Sequence, residues 1–292
     1  MLETIHPNLL ALTGALCSAI ARMFYKSALS HLSPTFVTVL VNFISVLFAA
    51  LFYFLGDGVS DWPIEGLLWF AFVGLVGSLF GRYMSLLSIR LTGVARATIV
   101  MQTVLIWSTA IAIIFLGERL SVGVAAGSLL IMFGGVLLVY EKEEVRKRIP
   151  LVYYLAPLLA AFSLAFTFLL RRYGLLLIPS SPLGMGVSNL TALVALSAAL
   201  PFTDGGMPDT RETRGFLIAA LGGVFNAGAV LCFWTAVQTG KVVEVVPINR
   251  LSVLFVILFS WLFFQRQELI SLRVVLGGLL SVAGAYVIVV GH

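Results

Sequence analysis

Stretches of about 20 residues without a single Asp, Glu, Lys or Arg dominate this sequence. They run over 32–56, 97–117, 149–170, 173–203, 215–240 and 274–292. A helix that crosses a bilayer needs about 20 predominantly apolar residues. Charged residues make up only 11% of the chain, whereas a soluble domain carries about 25%. A chain with so few charges cannot cover a water-facing surface, so its solvent must be lipid.

Four further apolar stretches complete the set of candidate membrane helices. One fills 120–140, and the other three (4–21, 66–81 and 251–265) border Arg22, Arg82 and Arg250. The sequence therefore predicts an all-α polytopic membrane protein with ten transmembrane helices. We number these spans one to ten: 8–29, 34–55, 65–88, 94–116, 120–140, 151–171, 182–200, 215–238, 243–264 and 270–290.

The two halves of the chain repeat one another. Residues of span five recur 150 positions later in span ten: Ser121, Gly127, Leu129, Leu130 and Gly134 match Ser271, Gly277, Leu279, Leu280 and Gly284. Other pairs agree as well: Asn42 with Asn189, Gly66 with Gly215, Gly74 with Gly223, and Thr92 with Thr239. We therefore predict a first five-helix repeat over 1–140, a charged linker over 141–150, and a second repeat over 151–292.

An odd number of crossings has a topological consequence. After five spans the second repeat starts from the opposite side of the membrane, so the two repeats are inverted relative to each other. Inverted repeats build transporters whose substrate sites lie near the bilayer midplane, at the interface of the repeats.

The segment FLGERL at 115–120, followed by a glycine-spaced helix, resembles the drug/metabolite transporter superfamily in its ten-helix form with two EamA units. The second copy departs from the motif, with Gln267-Glu268-Leu269 in place of Gly117-Glu118-Arg119. The resemblance implies a basket of helices with a central cavity walled by spans three, four, eight and nine. It further implies a bacterial inner-membrane protein that exports aromatic and other neutral amino acids by alternating access. Its partners would be a small-molecule substrate and the lipid bilayer, and a monomer is compatible with the sequence.

Two arginines are predicted to lie deep in the membrane. Arg82 is eight residues before Arg90 and Arg250 is nine residues after Lys241, which places each about 12–13 Å from its helix end. Buried charges usually face a wet cavity or a partner, so both are candidates to bind substrate. Pairing with backbone carbonyls or with Glu244 is the alternative. Ser78, four residues before Arg82, extends the same helical stripe, although small residues there also suit a helix contact.

Amides and aromatic rings supply the remaining candidates for the site. Gln102 and Asn249 fall at equivalent places when the repeats are aligned on Thr92 and Thr239. They are expected either to bind substrate or to form hydrogen bonds between helices. Pro247, just before Asn249, removes a backbone hydrogen bond within span nine. The other candidate residues are Asn226, Trp234, Tyr83 and Trp107, whose rings are also typical of membrane interfaces and of packing.

The residue types that the spans lack narrow the function. The sequence predicts no Asp, Glu or His at midmembrane depth, which argues against a proton relay and against a site for a cationic drug. We expect no enzyme, no cofactor, no metal site and no nucleic-acid partner. Downhill export, as a uniport, is the first hypothesis. A multidrug or nucleotide-sugar carrier and a proton-coupled antiporter are the alternatives within transport; a membrane-embedded enzyme and a receptor are less favoured.

The two glutamates of the repeated motif and the loop charges give two smaller expectations. Glu118 and Glu268 are predicted to cap the short turns between neighbouring spans. Lys and Arg number 13 in or beside the odd-numbered loops and 5 in or beside the even-numbered ones. The positive-inside rule then places the odd loops in the cytoplasm and both termini outside, whereas the resemblance favours termini inside.

Overall fold

The structure is a computed structural model, and it describes residues 4–28, 31–32, 34–56, 61–92, 94–139, 150–199, 213–263 and 272–290. Within these ranges the chain forms helices and turns, with no β-strand. The helices are α1 (Pro7–Ala28), α2 (Pro34–Leu55), α3 (Ile64–Val73), α4 (Arg82–Thr92), α5 (Val94–Met101), α6 (Val104–Leu116), α7 (Val122–Val139), α8 (Leu155–Leu177), α9 (Ser181–Ala199), α10 (Thr213–Thr239), α11 (Val242–Asn249), α12 (Ser252–Phe263) and α13 (Leu272–Val290). A π-helical stretch, Gly74–Gly81, joins α3 to α4, and a 3₁₀ turn, Leu151–Tyr154, precedes α8.

The predicted all-helical membrane fold is confirmed. Among the described residues, seven helical segments are long and apolar enough to cross a membrane: Pro7–Tyr25, Phe36–Leu55, Ile64–Ser85, Ile99–Leu116, Leu151–Leu177, Ser181–Ala198 and Thr213–Thr239. Val122–Leu138 and Val275–Val290 are shorter apolar helices, and they correspond to spans five and ten. Span nine is divided into α11 and α12. The exposed side chains include many large apolar ones, such as Phe54, Leu68 and Ile114, as contact with lipid requires.

Span six is longer than predicted. It was predicted as 151–171, beside the end of the uncharged stretch 149–170, but α8 continues through Arg171 and Arg172 to Leu177. Both arginines have partners that make their place in the helix favourable. The Arg171 guanidinium lies 4.3 Å from the ring centre of Trp234, and Arg172 donates hydrogen bonds to the carbonyls of Val237 and Gln238.

Contacts between Cα atoms divide the chain into two compact units, each of which takes residues from both halves. The first compact unit is Met1–Leu79 with Leu170–Thr239, and the second is Phe80–Leu169 with Gly240–His292. The predicted linker lies outside the described residues, and the limits 1–140 and 151–292 stay a prediction about the sequence repeat.

Repeat-related glycines in the first compact unit pack in the same way. A methyl group on Gly66 would lie 2.6 Å from Cγ1 of Ile178, and one on Gly215 would lie 2.8 Å from Cβ of His31. The two glycines are repeat equivalents, and each packs against the end of the first long helix of the other half, α8 for Gly66 and α1 for Gly215. Distances below 3.0 Å leave no room for a side chain. The helices therefore approach closely at the same place in each copy.

In the second compact unit, α7 and α13 pack against each other through four repeat-related glycines. Gly127 lies against Gly284, and Gly134 lies against Gly277. Residue numbers rise along one helix as they fall along the other, so the helices are antiparallel. Gly127 is equivalent to Gly277, and Gly134 to Gly284, so each contact joins the first glycine of one copy to the second glycine of the other. Small residues allow such close backbone approach in membranes.

Candidate functional site

Span four is interrupted at Gln102. The α5 helix ends at Met101, and α6 begins at Val104. Between them the backbone makes the tighter i→i−3 bonds of a 3₁₀ turn, from Gln102 N to the Ile99 carbonyl (3.1 Å) and from Thr103 N to the Val100 carbonyl (3.0 Å). The Thr103 hydroxyl donates a further bond, at 2.7 Å, to the Val100 carbonyl. A predicted candidate residue therefore lies at the break in the helix.

The Gln102 side chain is buried against α7. Only 2% of the residue is exposed, and its amide occupies the space that a side chain on Gly135 would fill. Within the part of the chain that is described, Gln102 Nε2 has no hydrogen-bond partner. A buried polar group without a partner costs about 1–3 kcal/mol. The Gln102 side chain therefore fills the space beside Gly135, and its Nε2 donor remains without a partner among the described residues.

Span nine is interrupted at the equivalent place. The α11 helix ends at Asn249, α12 begins at Ser252, and Pro247 lies inside α11. Arg250 N donates to the Pro247 carbonyl at 3.0 Å and to the Val246 carbonyl at 3.2 Å. Asn249 and Arg250 are both half-buried. Two candidate residues therefore lie at this second break.

The two breaks use the same backbone bond. Aligned on Thr92 and Thr239, the bond from Arg250 N to the Pro247 carbonyl corresponds to the bond from Thr103 N to the Val100 carbonyl. The first copy makes this turn without a proline, so the turn belongs to the repeated architecture and not to Pro247 alone. Both α5 and α11 pack against α7, so the two broken spans have a common neighbour within the second compact unit.

The π-helical stretch changes the expected stripe on span three. Ser78 lies inside Gly74–Gly81, and Arg82 is the first residue of α4. A π-helix bonds i to i+5, so residues four apart do not align as they would on an α-helix. The stripe predicted through Ser78 and Arg82 therefore does not extend across Gly81. Single-turn π segments are frequent at functional sites, and the equivalent part of α10 is α-helical.

The remaining candidates differ in burial. Ser78, Arg82 and Asn226 are half-buried, and Tyr83 is 60% exposed. Trp107 packs edge-on against Phe162, with ring centres 5.5 Å apart. Its Nε1 is buried, and no described residue accepts a hydrogen bond from it.

Trp234 lies in the core of the first compact unit. It is 1% exposed, its ring meets Phe70 edge-on at 5.5 Å, and a methyl group on Gly184 would lie 2.5 Å from it. This burial favours packing as the role of Trp234, which was the alternative left open by the sequence. Ser78, Asn226 and Trp234 belong to the first compact unit, and the other six candidates belong to the second.

Sequence reasoning missed the role of two arginines and an amide at the end of α10. Arg171 covers the rings of Trp234 and Phe233, at 4.3 and 5.2 Å from their centres. Arg172 binds carbonyls in the last turn of α10, where a helix has unpaired acceptors. The Gln238 amide accepts from Ser181 N at 3.2 Å and donates to the Pro179 carbonyl at 3.1 Å. Cationic side chains commonly interact with the C-termini of helices, and this tendency was the available signal for Arg171 and Arg172.

Glu118 caps a different helix from the one predicted. Its Oε1 accepts a hydrogen bond from Val242 N at 2.9 Å, and its Oε2 accepts one from Val243 N at 3.0 Å. The local turn is instead capped by Ser121, whose Oγ accepts from Val124 N. Glu118 therefore joins the first half of the chain to the start of α11. Its repeat partner Glu268 lies outside the described residues.

Glu244 is an acid on the same helix as Asn249, five residues before it. It lies in the first turn of α11, is 8% exposed and forms an ion pair with Lys241 at 3.1 Å. Among the described residues, no group of three or more His, Cys, Asp or Glu side chains could hold a metal ion. Cys17 and Cys232 are free thiols.

Comparison with known proteins agrees with this architecture. A solved structure titled "Crystal structure of protein" superposes with a TM-score of 0.79 at 17% sequence identity, and the match covers 96% of this chain and 95% of that one. At this identity the likeness shows the fold alone. No curated protein sequence matches significantly. The EamA-like transporter family matches twice, over residues 7–140 and 151–290. The protein is therefore a multi-pass membrane protein that belongs to the EamA-like transporter family.

Proposed function

We propose that the protein exports small metabolites, most directly aromatic and other neutral amino acids, across the inner membrane of a bacterium by alternating access. Gln102, Asn249 and Arg250 are the central substrate ligands in this proposal. Ser78, Arg82, Tyr83, Trp107, Asn226 and Trp234 are the other candidates.

The observation that carries the proposal is the coincidence of the two breaks. Helices are rarely interrupted in lipid, because every backbone group must find a partner there. Transporters with inverted repeats use broken helices at equivalent positions to form their substrate sites. Here the breaks at Gln102 and at Arg250 each contain a backbone hydrogen bond at the equivalent position, and each carries polar side chains. The unpartnered Gln102 amide can donate a hydrogen bond to a bound substrate.

The charge of the candidate residues favours a substrate with a carboxylate. Arg82 and Arg250 bring positive charge, and arginine binds carboxylates through paired hydrogen bonds. An amino acid also has an ammonium group, whose N–H groups can donate hydrogen bonds to the amide oxygens of Gln102 and Asn249. A cationic drug would instead call for an acid in the site. The buried Glu244 is already paired with Lys241.

Replacing Gln102 by leucine separates binding from packing. Leucine has a similar volume and removes the unpartnered donor, so we expect the thermal stability of the protein to stay the same or to rise. Export of the substrate should fall at least ten-fold, because the lost hydrogen bond is made only to substrate. Transport into liposomes and thermal unfolding in detergent, measured on the same preparations, test both parts. Asn249→Leu should likewise reduce transport.

The matched control is Gln238→Leu. Its amide has partners in the fold, at Ser181 and Pro179, so the same substitution should lower stability and leave transport per folded molecule nearly unchanged. If Gln102→Leu keeps full transport activity, the amide has a packing role and the site lies elsewhere.

The energy source is a second point to test. We propose downhill transport, since a proton-coupled carrier needs a group that binds and releases a proton near the substrate. Arginine stays charged throughout the physiological range. In liposomes with equal substrate on both sides, a pH gradient should then produce no net accumulation.

Proton-coupled antiport is the alternative, and the burial of Glu244 in the first turn of α11 is the observation that favours it. Accumulation that follows the pH gradient and disappears in Glu244→Gln would establish coupling. Glu65, which lies at the exposed start of α3, gives the control substitution Glu65→Gln, for which no change is expected.

A further inference from the structure

The start of α11 depends on a residue that is 124 positions away in the chain. Lys241 occupies the N-cap position of α11, and its side chain forms no capping hydrogen bond. The Glu118 carboxylate caps the helix instead, because one of its oxygens accepts a hydrogen bond from Val242 N and the other accepts one from Val243 N. These are two of the donors that a helix leaves unpaired at its N-terminus. A carboxylate there also interacts favourably with the helix dipole.

The motif around Glu118 is built to present this carboxylate. Gly117 ends α6 in the left-handed conformation, with φ of 65°, and its N–H bonds to the Ala112 carbonyl. Glycine adopts this conformation without steric cost. The chain turns sharply, so that Glu118 N also bonds to the Ala112 carbonyl, at 3.2 Å. Arg119, the next residue, is exposed. Gly117 thus directs Glu118 to α11.

The α11 helix is short, and the candidate residue Asn249 is its last residue. It contains eight residues, and at 1.5 Å per residue Asn249 lies about 10 Å from Val242. Its far end opens into the break at Arg250, and Pro247 removes one of its internal hydrogen bonds. Residues Val242 to Ile248 are buried, so the helix moves as a packed segment. A displacement of its start is therefore passed on to Asn249 and Arg250.

We propose that Glu118 is a positioning residue, which holds α11 so that Asn249 and Arg250 lie where the substrate binds. The inference rests on the proposed function, because it assigns to Glu118 an effect on those two ligands. It gives the pair Gly117-Glu118 a role in substrate affinity, exerted by the first half of the chain on a helix of the second. Glu118 itself does not touch the substrate.

Hydrogen exchange tests the capping part without any transport. In Glu118→Ala, the backbone amides of residues 242–246, 248 and 249 should exchange about ten-fold faster, because two charge-assisted hydrogen bonds are lost. Glu118→Gln keeps one acceptor and should give an intermediate result. Arg119→Gln, at the adjacent exposed position, should not differ from the unmodified protein. Unchanged exchange in Glu118→Ala would overturn the proposal.

A separate measurement reports on the position of the C-terminal end of α11. It follows the alkylation rate of the cysteine in the variant Asn249→Cys. Its reaction with a small polar thiol reagent should change at least three-fold in rate when Glu118→Ala is added. It should stay the same when Arg119→Gln is added. This measurement holds even if the protein transports none of the amino acids tested, so failure of the proposed function and failure of the positioning role can be told apart. Faster exchange with an unchanged alkylation rate would show a cap alone and would contradict the proposal.

Transport kinetics complete the test. For the folded fraction of Glu118→Ala, the substrate KM should rise at least five-fold with a smaller change in maximal rate, because the ligands are displaced and the moving parts are intact. A purely structural role predicts less folded protein with the original KM, and that result would contradict positioning.

Discussion

Replacing Gly134 by alanine is expected to prevent α7 and α13 from packing, and so to remove most of the folded protein. The added methyl would lie 2.6 Å from the Gly277 carbonyl oxygen and 2.9 Å from Ser281 N. Both are backbone atoms, which cannot move aside as the end of a side chain can. Overpacking costs about 1–3 kcal/mol in well-packed interiors, and a clash with backbone lies at or above the top of that range. The folded fraction after heating, measured by size-exclusion chromatography in detergent, provides the readout.

Gly228→Ala is the control for this prediction. Gly228 also lies within a helix, but apart from its own helical turns no atom of the described residues would lie within 4 Å of the added methyl. Alanine is the better helix former by about 1 kcal/mol, so this variant should be as stable as the parent or slightly more stable. Equal midpoints for Gly134→Ala and Gly228→Ala would show that α7 and α13 do not approach as closely as described.

Truncation of Trp234 to alanine should have the second largest effect. The ring fills the space between Phe70, Gly184 and the Arg171 guanidinium. In soluble cores such a change costs about 3–5 kcal/mol. Arg171 would also lose its aromatic partner, which can contribute about 2 kcal/mol when water is excluded. We expect little folded protein and a thermal midpoint lowered by more than 10 °C, on the scale of about 2–4 °C per kcal/mol.

Trp234→Phe distinguishes packing from substrate binding at this position. Phenylalanine keeps an aromatic face for Arg171 and lacks the indole N–H. If the ring has a packing role, this variant should be moderately destabilised and should transport normally per folded molecule. Normal stability combined with lost transport would instead make the indole N–H a substrate ligand.

The sequence predicts the helices well because lipid imposes a simple rule on them. A membrane helix must satisfy its own backbone, so apolar length alone determines where it lies. Span two, for example, was predicted at 34–55, and α2 is Pro34–Leu55. The ends were less accurate where a charge occurs inside a helix. Arg171 and Arg172 indicated an end for span six, but their aromatic and carbonyl partners come from α10, which local sequence cannot show.

The details of the candidate site were only partly predictable. Pro247 indicated a disturbance in span nine, whereas the equivalent break at Gln102 has no proline and follows only from the repeat. The π-helical stretch before Arg82 has no recognisable signal in composition. Glu118 was expected to form a cap, and its type suited that role, but its partner is 124 residues away. Local sequence patterns thus predict the kind of interaction that a residue makes more readily than its partner in that interaction.

The antiparallel pair of α7 and α13 has a consequence for how such a chain could arise. Each glycine contact joins non-equivalent positions of the two copies, 127 with 284 and 134 with 277, and exchanging the copies leaves the set of contacts unchanged. That is the property of an isologous interface, in which one surface patch meets itself across a two-fold axis. Two separate five-helix chains with the sequence of either copy, inserted in opposite orientations, could make the same contact. Joining them in one chain fixes the opposite orientation that this interface needs.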